Sequence, residues 1–257
     1  MKHTARQLDT LRKIGVEVWI LRGAETGEAV EAAESVQPAR TAAPAAEVAA
    51  ESPAAASAAP PPAASTDTAA QLQAIEREVS VCRRCELHQT RTNTVFGCGN
   101  ARADWLFVGE APGRQEDLQG EPFVGRAGKL LDMMIAALGM RRERVFIANV
   151  LKCRPPNNRD PLPGEIEQCE AYLHRQLALI QPKVIVALGR ISAQALLRTG
   201  DALSKLRGTT YRYGPDHIPL VVTYHPAYLL RSPEQKAKAW DDLWLAREIV
   251  RAAPEAG

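Results

Sequence analysis

The groups in this chain that could do chemistry fall into two sets, a dispersed group of cysteines and several polar residues that close apolar runs. Cys82 and Cys85 form a C-x2-C pair, while Cys153 and Cys169 stand far downstream with fifteen residues between them. Adjacent thiolates of a C-x2-C bite can share one metal centre, and folding must bring in the distant pair. Four thiolates in two groups fit a tetrahedral zinc or an iron–sulfur cluster, and their spacing does not choose between the two. Buried reduced thiols are the plain alternative, but Arg83 and Arg84 between the first two cysteines do not suit a core. Cys98, alone in Phe96-Gly97-Cys98-Gly99-Asn100, reads as a bystander.

The second set begins with Trp105-Leu106-Phe107-Val108, an apolar run suited to a buried parallel strand, followed by Gly109-Glu110-Ala111-Pro112-Gly113. Glycines there permit a tight turn, and Pro112 denies a helix start. Pro122-Phe123-Val124-Gly125 follows after a polar, acidic loop. Asn149 ends another apolar run, where a core role would favour an aliphatic residue. His225 comes just after the run Leu220 to Thr223 and just before Pro226. Ligands of open α/β sheets bind beyond the carboxyl ends of strands, which is where all these residues fall. Neither G-x-G-x-x-G nor G-x-x-x-x-G-K-[ST] is present, so a dinucleotide or P-loop site is not expected.

Apolar runs at Trp105–Gly109, Val145–Val150, Val184–Leu188 and Leu220–Thr223 read as strands. Helical patterns lie between them at Gly128–Leu138, Pro163–Leu179 and Ser192–Leu197, with a helix before them at Gln71–Val79 and a last one from Pro233 to Arg251. Such alternation predicts a three-layer α/β/α sandwich on a four-stranded parallel sheet, preceded by a disordered N-terminal tail. Three regions are expected: an amphipathic peptide over 1–25, an Ala/Pro-rich linker over 26–69, and the globular domain over 70–257. The linker composition cannot bury a core, and its roughly 45 residues would span about 35–40 Å as a flexible coil.

Among 257 residues, positions 1–69 carry a net charge of −3 and the remainder +5, a modestly basic domain compatible with nucleic acid. No apolar run is long enough to span a bilayer, and the first residues lack the apolar region of a secretory signal. A cytoplasmic protein is expected, with nothing that demands more than a monomer, where reduced cysteines serve as ligands and not as disulfides.

With these residues in view, the chain resembles family 4 uracil-DNA glycosylases, the iron–sulfur members of the uracil-DNA glycosylase superfamily, over residues 72–250. The resemblance rests on Cys82-x2-Cys85, Gly109 to Gly113, Pro122 to Gly125, Asn149-Val150-Leu151-Lys152-Cys153-Arg154-Pro155-Pro156, Cys169, and His225-Pro226-Ala227-Tyr228-Leu229-Leu230-Arg231. It implies a [4Fe–4S] cluster on Cys82, Cys85, Cys153 and Cys169, structural and not redox-catalytic. It also implies a glycosylase that flips uracil out of DNA and hydrolyses its bond to deoxyribose, leaving an abasic site. The alternative is a non-catalytic or covalently trapping iron–sulfur uracil-DNA-binding protein of the same superfamily.

On that reading Gly109, Ala111, Phe123, Asn149 and His225 form the uracil pocket, with Phe123 as the stacking face. The Asn149 amide donates to uracil O4 and accepts from N3–H, a pattern that cytosine reverses. At His225 a neutral imidazole or a backbone N–H steadies charge at O2, and Glu110 and Glu116 are the candidate carboxylates, Glu116 lining the side where a thymine methyl would clash. Leu229, Leu230 and Arg231 resemble a minor-groove loop carrying an apolar wedge, and Lys152, Arg154 and Arg159 are candidate phosphate contacts. Many superfamily members place an aspartate where this chain has Ala111, so the loop supplies no obvious water-orienting group.

The start of the chain carries a separate signal. Leu8, Leu11 and Ile14 lie at helical spacing, and Val16, Val18 and Ile20 then alternate. Leu8-x2-Leu11-x3-Gly15-Val16-x2-Trp19-x2-Arg22 resembles the N-terminal segment of the psi subunit of the bacterial DNA polymerase III clamp loader. That resemblance implies recruitment to the replicative clamp loader through residues 5–22. The plainer reading is a helix that docks on the main domain.

Overall fold

A computed structural model describes residues 64–253, so the amphipathic peptide and most of the linker lie outside the described residues. Helix α1, Ala64–Ser80, begins inside the stretch read as linker. The remaining elements are strand β1 (Cys98–Gly99), strand β2 (Trp105–Gly109), helix α2 (Arg114–Gln119) and helix α3 (Arg126–Ala137). They continue with strand β3 (Phe146–Asn149), helix α4 (Pro163–Ile180), strand β4 (Val184–Leu188), helix α5 (Arg190–Leu197) and a single turn, α6 (Leu203–Leu206). The chain ends with strand β5 (Thr210–Tyr213), strand β6 (Ile218–Thr223), helix α7 (Pro226–Arg231) and helix α8 (Lys236–Ala252).

The sheet order is β1-β3-β2-β4-β6-β5. The four inner strands are parallel, as expected, in the registers Phe107 with Ile147, Phe107 with Val186, and Val186 with Val221. Short antiparallel strands β1 and β5 close the two edges. The sequence reading missed both. β1 has two residues, and β5 is the polar strand Thr-Tyr-Arg-Tyr, so neither offers a continuous apolar run.

Period-two alternation divides the sheet's side chains between two cores. Leu106, Val108, Ala148, Ile185 and Val222 meet α1, α4 and α5 on one face, through residues such as Ile75, Leu173 and Ala193. Trp105, Phe107, Ile147, Val186 and Val221 meet α3 and α8 on the other, through Leu131, Ile135, Trp240 and Leu243. Every residue of β2 and β4 is buried, which is why both read as unbroken apolar runs. Each fully buried large aliphatic or aromatic side chain contributes roughly 1.5–3 kcal/mol, so these inner strands form a rigid floor. The chain leaves β2 with β3 on one side and β4 on the other, and such a switch point opens a crevice at the strands' carboxyl ends.

Candidate active site

That crevice is a cleft of about 460 Å³. Glu110, Ala111, Glu116, Phe123, Asn149, His225 and Arg231 all line it, so residues up to 121 positions apart in sequence meet at one place.

The wall facing β2 depends on missing side chains. A Cβ on Gly109 would fall 2.3 Å from Asn149 Oδ1 and 2.6 Å from Phe123 Cζ. Glycine is therefore required for the amide and the ring to converge over the strand end. Phe123 itself has φ +54°, a left-handed conformation that costs a non-glycine residue about 1–2 kcal/mol. Its surroundings impose it. Glu116 Oε1 accepts from the backbone N–H groups of Val124 and Gly125, both at 3.1 Å. Arg142 Nη2 donates to Pro122 O at 2.5 Å from the other side. Gly128 packs so closely that a Cβ there would meet Phe123 O at 1.7 Å. Glu116, expected among the catalytic carboxylates, thus acts as a brace for the loop that presents Phe123. Its Oε1 is occupied in doing so.

Asn149 is 2% exposed, and its Oδ1 has no hydrogen-bond partner. A buried acceptor left unpaired costs roughly 1–3 kcal/mol, and such groups are rare away from functional sites. Its main chain is fixed by the parallel ladder with Gly109, and just beyond it Val150 and Leu151 donate to Gly109 O and Glu110 O at 3.0 Å each.

His225 follows the end of β6 and caps α7, with Pro226 at the first helical position, where its missing N–H costs nothing. Its Nδ1 accepts from Ala227 N at 3.1 Å. In the neutral ring that leaves the proton on Nε2. Burial, helped by Arg231 and opposed by Glu116, pushes the His225 pKa down to about 4, so the ring is neutral at physiological pH. Its ring centroid lies 5.6 Å from that of Phe123, tilted 31°. Gly189, at φ +92°, lets the end of β4 approach, since a Cβ there would sit 2.9 Å from His225 Cβ.

Glu110 is partly buried in the same cleft. Burial first, and Asp160 second, push its pKa up to about 7 against the pull of Arg190. Asp160 and Asn158 also line the cleft, and Asp160 pairs with Arg190 at 2.6 Å. Sequence reasoning passed over them. The signal was the run Asn157-Asn158-Arg159-Asp160 just beyond a strand end, and both asparagines adopt left-handed φ, at +56° and +53°. Tyr228 was missed too. It lines the cleft, 36% exposed, and stacks on Tyr224 at 5.1 Å.

Several expected DNA contacts are corrected. Lys152 is 1% exposed, with Nζ bonded to Asn149 O and Gln176 Oε1, so it cannot reach a phosphate. Leu229 is 1% exposed in the core beside Leu130 and Trp240, and only Leu230, 38% exposed, is free to act as a wedge. Arg159 is held by Glu165 at 2.6 Å. Arg154 donates to Asn158 Oδ1 at 2.7 Å on the rim, and Arg231 lines the cleft.

Away from the cleft, Cys82, Cys85, Cys153 and Cys169 line one small pocket together with Tyr172 and His88. Among the described residues no three His, Cys, Asp or Glu side chains converge as closely as a single metal ion requires. All four cysteines nevertheless line the same pocket, and four thiolates are the ligand set that a cluster of several irons takes. Hydrogen-bond donors point at them: Arg91 Nη1 lies 3.0 Å from Cys153 Sγ, and Lys152 N lies 3.3 Å from Cys169 Sγ. This donor set fits the group the sequence implied. Cys98 lies apart, near Glu121 and Arg142, and burial pushes its thiol up to about 11, consistent with a bystander.

Comparison with known proteins agrees with this geometry. Residues 96–244 match the family model described as the uracil DNA glycosylase superfamily. The type-4 uracil-DNA glycosylase of Archaeoglobus fulgidus is 52% identical over 178 residues, covering 66% of this chain and 89% of that protein. The type-4 enzyme of Thermotoga maritima is 43% identical over 186 residues, covering 70% and 95%. A type-5 uracil-DNA glycosylase from Thermus thermophilus is 33% identical over 118 residues, covering 40% and 53%. A cleft at the switch point of a parallel sheet, matched across most of the length of such relatives, leads to one conclusion: the chain belongs to the uracil DNA glycosylase superfamily.

Proposed function

We propose that this protein is a uracil-DNA glycosylase that takes a flipped uracil into the Phe123–Asn149–His225 cleft and releases it as free base. The observation that carries the reading is the buried, unpartnered Asn149 Oδ1, held against the Phe123 ring across Gly109. A flat base stacked on Phe123 would present its edge to that amide. Uracil N3–H satisfies the orphan acceptor, and Asn149 Nδ2 can then donate to O4. Cytosine offers an acceptor and a donor in the reverse order, so the same amide would reject it.

Bond cleavage follows from where charge collects. As the C1′–N1 bond breaks, its electron pair leaves with uracil, and negative charge gathers on O2. A neutral His225 with its proton on Nε2 is a fixed donor for that oxygen, and preorganised donors of this kind typically contribute about 3–4 kcal/mol. Water then adds to C1′ as hydroxide, with its proton passing to the departed uracil. Ala111 cannot orient that water. Glu110, a carboxyl near neutrality in the same cleft, would take that role. Leu230 is the residue exposed to fill the gap left in the duplex.

The pocket of four cysteines would hold a [4Fe–4S] cluster, which would staple the segment after α1 to the exit of β3 and the first half of α4. The expected setting is the cytoplasm, on nucleoid DNA, with the peptide of residues 5–22 recruiting the enzyme to the clamp loader. Capture of clamp-loader subunits that survives deletion of residues 1–25 would remove that last element. The main test is incubation with a uracil-containing oligonucleotide followed by alkali, alongside an anaerobic absorption spectrum. Strand cleavage at uracil and a broad visible band are expected. No cleavage would overturn the glycosylase reading, and no band would overturn the cluster.

A further inference from the structure

Lys152 is one of the largest fully buried side chains of the protein, and it lies between the two sites. Its Nζ donates to Asn149 O at 3.0 Å and to Gln176 Oε1 at 2.6 Å, and sits 5.9 Å from the Phe96 ring centroid. Gln176 is 0% exposed and anchored in turn, donating from Nε2 to Phe96 O at 3.0 Å. The Lys152 backbone belongs to the cysteine pocket: its N–H donates to Cys169 Sγ at 3.3 Å, and the next residue is Cys153. Its carbonyl accepts from Val95 N at 2.8 Å. Among the described residues Lys152 makes no ion pair with a carboxylate.

Burying a lysine without an opposite charge is costly, and a protein that does so needs a compensating group nearby. The acidic groups that the chain sets beside it are thiols, Cys169 bonded to its N–H and Cys153 next in sequence. A cluster on four thiolates carries net negative charge, so loading it would supply the missing counter-charge. The strut at the other end has an equally specific role. Asn149 Oδ1 has no protein partner, so its direction is inherited from the main chain, which the ladder with Gly109 and the Lys152 bond to the Asn149 carbonyl hold together.

We propose that Lys152 is a positioning residue that couples the two sites, serving as buried counter-charge to the cluster and as the strut that sets the uracil-reading amide of Asn149. This rests on the cluster reading above. Outer-shell partners of metal ligands typically carry 10–100-fold in metal affinity or activity. Lys152 would carry both, because one side chain serves both sites.

The test compares wild type with Lys152→Met, which keeps the apolar stem and removes Nζ, in anaerobically purified full-length protein. The readouts are the dissociation constant for free uracil, the rate of iron loss to a chelator followed by visible absorption, and base release. The expected result is at least about 10-fold weaker uracil binding, about 10-fold faster iron loss and a 10–100-fold fall in kcat/KM. Gln176→Leu, which removes the acceptor for Nζ and no residue adjacent to a cysteine, should move uracil binding and iron loss the same way by a few fold. It decides the matter if Lys152→Met does not fold. Unchanged uracil binding and unchanged iron loss in an iron-loaded, folded variant would overturn the proposal alone. Wild-type protein that carries no iron would overturn the cluster reading, and the counter-charge half of the proposal with it.

Discussion

Two cavities of similar size open at opposite ends of the parallel strands, about 460 Å³ at the carboxyl ends and about 500 Å³ at the amino ends. The second is the larger and is walled by Leu177, Leu196, Tyr213 and Ile218, between α4, α5 and the β5–β6 turn. Its polar rim is already engaged: Arg198 reaches Glu170 at 3.4 Å, and Arg212 donates to His217 O at 3.1 Å. Displaced pKa values do not separate the two, since burial raises Tyr213 in the second cavity as it raises Glu110 in the first, but the first also holds the unpartnered amide oxygen of Asn149. Both regions contain left-handed residues, but the reasons differ. Arg198 ends helix α5, and His217 turns a hairpin, both ordinary places for that conformation. Phe123 ends no helix and turns no hairpin, and it is held there by Glu116 and Arg142. Volume does not distinguish a site from a gap. A buried polar atom left unpaired and strain without a local excuse do so.

The sharpest way to break this contrast is Asn149→Asp. The substitution keeps shape and burial but replaces the amide donor with a second acceptor. Uracil loses its O4 partner, whereas the amino group of cytosine gains one. Uracil release should fall about 10³-fold or more, because sites built around a buried hydrogen bond discriminate strongly. Slow cytosine release should become measurable from a matched oligonucleotide. A variant with wild-type uracil release would show that the orphan oxygen is not the reading group.

The four inner strands and most of the helices were legible in the sequence because their apolar periods are long and the buried strands are unbroken. Glu110, Asn149 and His225 were legible because each sits at or just past the end of such a strand, so chain topology places them together, whereas Phe123 reaches the cleft only after helix α2. What escaped reading depended on side-chain direction. Lys152 and Arg154 both flank Cys153, and nothing in their types reveals that one turns inward to Gln176 while the other stays on the rim. Leu229 and Leu230 are likewise identical in type, and only the phase of the short helix α7 decides which enters the core. Glu116 read as a catalytic carboxylate because the family resemblance sets it beside the base, where a thymine methyl would clash. Its use as a loop brace appears only once Val124 and Gly125 fold back over it.

A smaller effect is expected at Glu110, where a carboxyl with pKa about 7 can be tested through stability as well as rate. A raised carboxyl pKa means the folded state holds its proton more tightly than the unfolded chain. Stability therefore declines as pH rises from the ordinary carboxylate range towards 7, and the loss is complete above that. Glu110→Gln removes the ionisation. It should match wild type near pH 4 and exceed it at pH 8 by about 1–2 kcal/mol, a figure discounted for the group's partial exposure. Urea unfolding at the two pH values reads this directly. If the carboxylate orients water, wild-type kcat should climb through pH 7, and the variant should be flat and about 10–100-fold slower. A gain in stability without loss of rate would assign Glu110 to the pocket wall alone.

The smallest effect should come from the opposite cavity, and that makes it the fairest check on the comparison. Ala178 is exposed on α4 at the mouth of this space, so Ala178→Trp can occupy it without disturbing the core beneath. If the cavity is only a gap between α4, α5 and the β5–β6 turn, kcat/KM on uracil-containing DNA should stay within about twofold. Stability should then change by no more than roughly 0.5 kcal/mol, as for other surface substitutions. A fall of tenfold or more in a variant that melts normally would mean the two ends of the sheet communicate. The path would have to run through α4, which carries both Leu177 at the cavity and Gln176 under Lys152. The same helix would then link the silent cavity, the buried lysine and the amide of Asn149, and the contrast between the two ends would become one of degree.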